Sequence, residues 1–196
     1  MSMQRDLELL YEIGCLRFIQ RSWHQFLNSH SANLADHHFR VVWIALLIAK
    51  HEGAGDHEKI MKMALVHDLG ESRTGDLHYV SRQYSERNED LAIDDIFHDT
   101  AIGEEIAAIW HEYEKKECIE AKIVKDADNL DVDLELQEME AVGSTLKKSF
   151  EPTRKAVLDR LYTETAKKLW HEIQGSNPHD WHLHARNRLN SGDWKK

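Results

Sequence analysis

Apolar residues recur at helical spacing along almost the whole chain. Between residues 4 and 21, Leu7, Leu10, Ile13, Leu16 and Phe18 predict an amphipathic helix. The polar stretch over 22–33 predicts a loop. Residues 34–51, which include VVWIALLIA at 41–49, are apolar almost all round, as expected of a helix central to a bundle. HEGAGD at 51–56 breaks that helix, and 57–69 predicts the next one, capped near Gly70. Residues 70–82 read as irregular. Amphipathic patterns over 83–98 and 101–115 flank a turn near Asp99. Ile119, Ile123, Ala127, Leu130, Leu134 and Ala141 mark a long helix over 118–142. Pro152 stands near the start of a helix expected from about 153 to 173, and a last polar helix is expected over 178–190. Strict apolar–polar alternation, the strand signature, is not convincing anywhere. The expectation is an all-α bundle forming a single domain over 1–196, with the C-terminal helices of 153–190 packed on it.

Composition sharpens this picture. The 196 residues include only two prolines and nine glycines, which suits helices. A formal charge of −10 argues against a nucleic-acid polymer as partner, since phosphate contacts need a basic surface, but a small phosphorylated molecule needs only a local positive site. Two cysteines, Cys15 and Cys118, are too few for a disulfide framework. No apolar run reaches the length of a membrane span, and MSMQRDLELL lacks the order of a signal peptide. A soluble, cytoplasmic protein is expected.

The chemistry concentrates in ALVHDLGESRTGD, residues 64–76. His67 and Asp68 are consecutive at the end of an apolar run, so both can reach one ion lying beyond the helix end. Glu71 lies four residues after His67, on the same face. Imidazole and carboxylate together suit a divalent first-row metal, which needs further ligands. Asp128, in VKDADNLD, sits among core-facing residues, where a carboxylate is costly unless paired or metal-bound. LADHHFRVVWIA offers a histidine at the start of the most buried helix, and periodicity leaves the choice between His37 and His38 open. Asp131 and Asp133 are expected to be exposed, HDWHLH at 179–184 to be surface or packing, and Trp43, Trp110 and Trp170 to be core or subunit-interface residues.

LADHHFRVVWIALLIA, ALVHDLGESRTGD and AKIVKDADNLD resemble, in order, the three signature blocks of the HD-domain phosphohydrolases. They are most similar to the branch holding the bacterial 5′-deoxynucleotidases and the eukaryotic HD-domain-containing protein 2. The likeness spans about residues 15–140. It implies an HD-domain helical fold and one divalent ion (Mn, Co, Fe, Ni, Mg or Zn) on His37, His67, Asp68 and Asp128. It also implies Glu71 and Asp76 as the acidic groups around the attacking water and the sugar. Trp23 matches a tryptophan that covers the substrate sugar in that branch. The bacterial enzymes place an arginine directly before this tryptophan, where Ser22 stands here, so the resemblance leaves Arg17 or Arg21 for the phosphate. Lys125, three residues before Asp128, is a further candidate for the phosphate or the ligand shell.

The implied activity is hydrolysis of deoxyribonucleoside 5′-monophosphates, a small nucleotide being the partner, in a chain whose family commonly forms homodimers. Phosphodiester or pyrophosphate cleavage on the same scaffold and a non-catalytic nucleotide- or metal-binding protein are the alternatives. His78, His98 and His111 also admit a two-iron oxygenase by number, but their surroundings do not resemble that pattern.

Overall fold

The computed structural model describes residues 2–27 and 31–184, with no side-chain description for Leu27. These residues form helices joined mostly by short turns, with a longer irregular stretch over 75–88 that holds a 3₁₀ turn at Ser81–Gln83, and an isolated bridge between Gln20 and Asn33 is the only strand-like pairing among them. The longest two helices, α3 (Leu34–Glu52) and α8 (Ile119–Ala141), cross at the centre. α4 (His57–Val66), α7 (Gly103–Lys115), α9 (Leu146–Leu158) and α10 (Glu164–Gly175) pack around them. α1 (Met3–Cys15) and α6 (Glu89–Phe97) close one end. α2 (His24–Leu27), α5 (Glu71–Thr74) and α11 (Asp180–Leu183) are single turns.

Side-chain caps fix where the main helices begin. Asn33 Oδ1 accepts the Asp36 amide at the start of α3, and Asp56 accepts the Glu58 and Lys59 amides at the start of α4. α3 ends at Gly53, whose φ of +64° is the left-handed conformation that glycine adopts without strain. The main core runs through Val41, Ala45, Ile48, Ile60, Met63, Ile123, Ala127 and Leu130, all buried between α3, α4 and α8. A second cluster holds Leu9, Leu34, Val66, Ile93 and Trp110 under α1 and α6.

Several boundaries differ from the sequence expectations. The first helix stops at Cys15, followed by a 3₁₀ turn over Leu16–Phe18, and a helical turn interrupts the expected loop at His24–Leu27. α6 starts at Glu89, six residues after its expected start, because Asn88 caps it by accepting the Leu91 amide. Gly70 is not a left-handed cap. Its backbone stays right-handed, and the chain turns through His67–Gly70 straight into α5. The helix expected over 153–173 is two helices, with Pro152 inside α9. Asp126 of α8 separates them: its carboxylate accepts the backbone amides of Tyr162 and Thr163 and the Thr163 hydroxyl, pinning the connection. Part of the final helix expected over 178–190 lies outside the described residues. Within them the helix is confined to α11, and the histidines of HDWHLH are exposed.

Asp131 and Asp133 are not exposed; each retains 2% of its accessible surface. Asp133 is paired with Arg154 of α9 at 2.9 and 2.6 Å, and Arg154 also donates to the Asn129 carbonyl. This buried pair ties α9 to α8. Trp110 and Trp170 are in the core, whereas Trp43 is 57% exposed.

Leu130, fully buried between the helix faces that carry Asp128 and Asp131, tests the packing. Leu130→Ala should lower unfolding free energy by about 2–5 kcal/mol in urea titrations, the usual worth of a deleted core leucine.

Candidate metal centre

The turn that closes α4 presents His67 and Asp68, α3 presents His37, and α8 presents Asp128. One ligand atom from each of the four lies within 4.8 Å of every other. His67 Nε2 is 3.3 Å from His37 Nε2 and 3.4 Å from an Asp68 oxygen. His37 Nε2 is 3.6 Å from Asp68 and 3.3 Å from Asp128.

The opposite ring nitrogens decide what these atoms can do. His37 Nδ1 is 2.7 Å from an Asp131 carboxylate oxygen, and His67 Nδ1 is 2.8 Å from the Ala64 carbonyl oxygen. A carbonyl oxygen only accepts, so His67 Nδ1 carries the proton, and a carboxylate imposes the same assignment on His37. In its neutral form each imidazole aims an Nε2 lone pair at one point, beside two carboxylates. Such a donor set fits a divalent cation. Without a cation, burial holds the pKa of His67 down, whereas His37, despite burial and the Arg21 charge, is held well above its ordinary value by Asp128, Asp131 and Asp68. His38 is also buried, but its ring packs against that of His67 at 4.7 Å and it contributes no atom to the cluster. The geometry thus separates the two neighbouring histidines.

A polar cavity of about 230 Å³ opens over the cluster. Asp68 and Asp128 form its floor, and Glu71, Asp76, Arg21, Arg87, Lys116 and Lys125 are among its walls. The family model described as HD domain matches residues 13–174. The chain belongs to the HD domain family. Among curated relatives, the 5′-deoxynucleotidase HDDC2 of Dictyostelium discoideum is 30% identical, covering 87% of this chain and 93% of its own length. The protein of the same name from Danio rerio is 33% identical, covering 70% of this chain and 71% of its own. A conserved hypothetical protein from Pyrococcus furiosus superposes with a TM-score of 0.71 at 28% identity, covering 86% of this chain and 98% of its own. A predicted metal-dependent phosphohydrolase from Magnetospirillum magnetotacticum shares the fold, with a TM-score of 0.70 at 22% identity, covering 88% and 90%.

Within this HD domain, Glu71 begins α5 and is nearly buried. Its Oε1 accepts from Arg87 at 2.8 Å, while its Oε2 is buried with no hydrogen-bond partner. Burial, with the charges of Asp68 and Asp76, pushes its pKa up to about 9 in the metal-free protein, against the pull of Arg87. A divalent cation among the ligands draws that value down again. Asp76 accepts from the Ser22 amide at 2.8 Å and the Ser22 hydroxyl at 3.2 Å. Ser22 thus anchors the acid.

Arg21 is nine-tenths buried and stands 3.2 Å from Asp68 and 3.6 Å from Asp76. Arg17 is exposed, with its guanidinium over the Phe18 ring, and the fold does not bring it to the cavity. The chain leaves the helical path after Phe18, so the residue one turn back from Arg21 points elsewhere. Lys125 reaches Asp128 at 2.7 Å. Trp23 follows Arg21 and Ser22 but is not among the residues lining the cavity. Its ring packs edge-on to Phe150 at 5.1 Å and Phe26 at 6.4 Å.

Sequence reasoning missed Asp131, Arg87 and Lys116. Asp128, Asp131, Glu135 and Glu138 recur at spacings of three and four along α8, and His37 and Arg40 are three apart on α3. An acidic stripe matched to a basic pair on the neighbouring helix was the available signal for Asp131. Lys116 bears a φ of +53°, unusual outside glycine, and its ammonium sits 3.1 Å over the Tyr113 ring.

Metal analysis after saturation with Mn²⁺ or Co²⁺ should find one ion per chain. Asp68→Ala should lose it while keeping its far-ultraviolet circular dichroism. Stoichiometric metal in that variant would mean a different ligand set.

Proposed function

We propose that this HD domain hydrolyses deoxyribonucleoside 5′-monophosphates to deoxynucleoside and phosphate, using one divalent ion held by His37, His67, Asp68 and Asp128. The observation that carries the reading is the pair of Nε2 atoms 3.3 Å apart beside two carboxylates, beneath a cavity walled by arginine and lysine. The naming of several curated relatives as 5′-deoxynucleotidases supports the substrate class.

A phosphate monoester is a dianion and a poor electrophile. A divalent ion in this position supplies charge neutralisation and a more acidic bound water. The chain's own groups do the rest. Arg21, fixed between Asp68 and Asp76, offers charge-assisted N–H donors to phosphate oxygens. Lys125 adds a second cation at the cavity wall. Glu71 has one oxygen held by Arg87 and the other without a partner, so Oε2 is the atom available to accept a proton from the attacking water. Asp76, held by Ser22, is the acid assigned to the sugar side. Trp23, packed on Phe26 and Phe150 outside the cavity lining, is assigned to favour deoxyribose indirectly, by holding the Arg21–Ser22 segment that carries Asp76. A cytoplasmic setting and a homodimer complete the proposal. Cys15 and Cys118 are free thiols, and Phe39, Trp43 and Leu47 leave an exposed apolar stripe on α3.

A phosphate-release screen over ribo- and deoxyribonucleotides with added Co²⁺ or Mn²⁺ tests the activity. Glu71→Ala should keep the metal and lose turnover by about 10²- to 10⁴-fold, the usual worth of general acid–base help. Unchanged turnover would reduce Glu71 to a structural residue. For the sugar, a ribose hydroxyl left without a partner costs about 1–3 kcal/mol, or roughly 5- to 150-fold. The kcat/KM for dAMP should exceed that for AMP by such a factor, and Trp23→Ala should narrow the gap. Equal wild-type rates on the two would remove deoxyribose selection and favour a general phosphohydrolase.

A further inference from the structure

The two histidines of the cluster are backed differently. His67 Nδ1 donates to a neutral backbone carbonyl, that of Ala64, whereas His37 Nδ1 donates to the carboxylate of Asp131. Asp131 is 2% exposed, and its other oxygen accepts from Arg40 Nε. Arg40 in turn binds Glu138 through Nη1 at 2.7 and 2.9 Å and reaches the Asp131 carbonyl through Nη2 at 3.4 Å. The chain His37–Asp131–Arg40–Glu138 therefore runs from the metal cluster to the surface, alternating between α3 and α8.

We propose that Asp131 is a positioning residue that sets the metal affinity of the site through His37, with Arg40 and Glu138 holding Asp131 in place. The inference rests on the metal-centre reading above and adds a residue that touches neither ion nor substrate. When an ion withdraws electron density from His37 Nε2, the Nδ1 proton becomes more acidic and its bond to a carboxylate strengthens. That gain exists only with metal bound, so it contributes to affinity rather than only to folding. A carboxylate also accepts and cannot donate, so it excludes the tautomer that would put a proton where the metal binds. Arg40 matters because a carboxylate this buried is otherwise costly. Its guanidinium compensates the charge and leaves Oδ2 directed at the ring.

Asp133 supplies the control. It lies two residues further along α8, is equally buried and is paired with an arginine, but it touches no member of the cluster. Dissociation constants for Mn²⁺ and Co²⁺, taken by chelator competition on the full chain, are compared for wild type, Asp131→Asn and Asp133→Asn, together with urea midpoints of the metal-free proteins. Asp131→Asn should weaken metal binding by about 10- to 100-fold. Asp133→Asn should lower the urea midpoint yet stay within about twofold of wild type in metal affinity.

Equal metal affinities for the two variants would overturn the proposal and make Asp131 a structural acid. If Asp131→Asn does not fold, Arg40→Gln carries the test, because it leaves the carboxylate on His37 but removes its clamp. A several-fold weaker constant is expected, and an unchanged one overturns the proposal. Absence of metal binding by wild type would instead strike at the metal centre itself, so the two failures are distinguishable.

Discussion

Two imidazole Nε2 atoms and two carboxylates facing one another across a few ångströms are the constraint around which this molecule is arranged. Without a cation the cluster is held by contacts among its own members, the facing Nε2 atoms and the two carboxylates lying 3.3–3.6 Å apart. The surrounding fold keeps them there. α3 and α8 form the most extensive contact of the bundle, and their apolar faces lock the relative heights of His37 and Asp128. The Trp110 indole donates to the His67 carbonyl at 3.2 Å, which fastens the turn that carries His67 and Asp68. Core packing and ligand placement are thus one problem: the same helices that bury Ile48, Met63 and Leu130 aim the polar groups at their ends.

A ring of opposed charges lines the cavity. Acids at the floor would repel a phosphate, and Arg21, Arg87, Lys116 and Lys125 offset that repulsion locally in a chain whose formal charge is −10. The buried arginine is itself held by Asp68 and Asp76, so in the proposed reaction its position is set before an anionic substrate arrives. Such preorganisation avoids ordering a long side chain at the moment of binding.

Much of this was legible in the sequence because helical periodicity and a helix-end His-Asp pair are local signals. The apolar run of 41–49, the break at HEGAGD and the long helix through Asp128 all follow from nearest-neighbour chemistry. The larger failures come from tertiary pairing. Asp131 and Asp133 read as solvated because Asp residues seldom go inside alone, and nothing local announces that Arg40 and Arg154 arrive from other helices. The break between α9 and α10 depends on Asp126, which is distant in sequence. Arg17 and Arg21 could not be separated while the chain was read as a continuous helix to residue 21; the 3₁₀ turn at Leu16–Phe18 separates them. Trp23 was expected over the mouth of the site, but its ring is taken up by Phe26 and Phe150.

The most direct test of the central claim is X-ray absorption at the cobalt edge of protein carrying one Co²⁺ per chain. The account predicts a shell of nitrogen and oxygen only, with the multiple-scattering signature of two imidazoles, one of which is lost in His37→Ala. A shell containing sulfur, or one with no imidazole scattering, would contradict it.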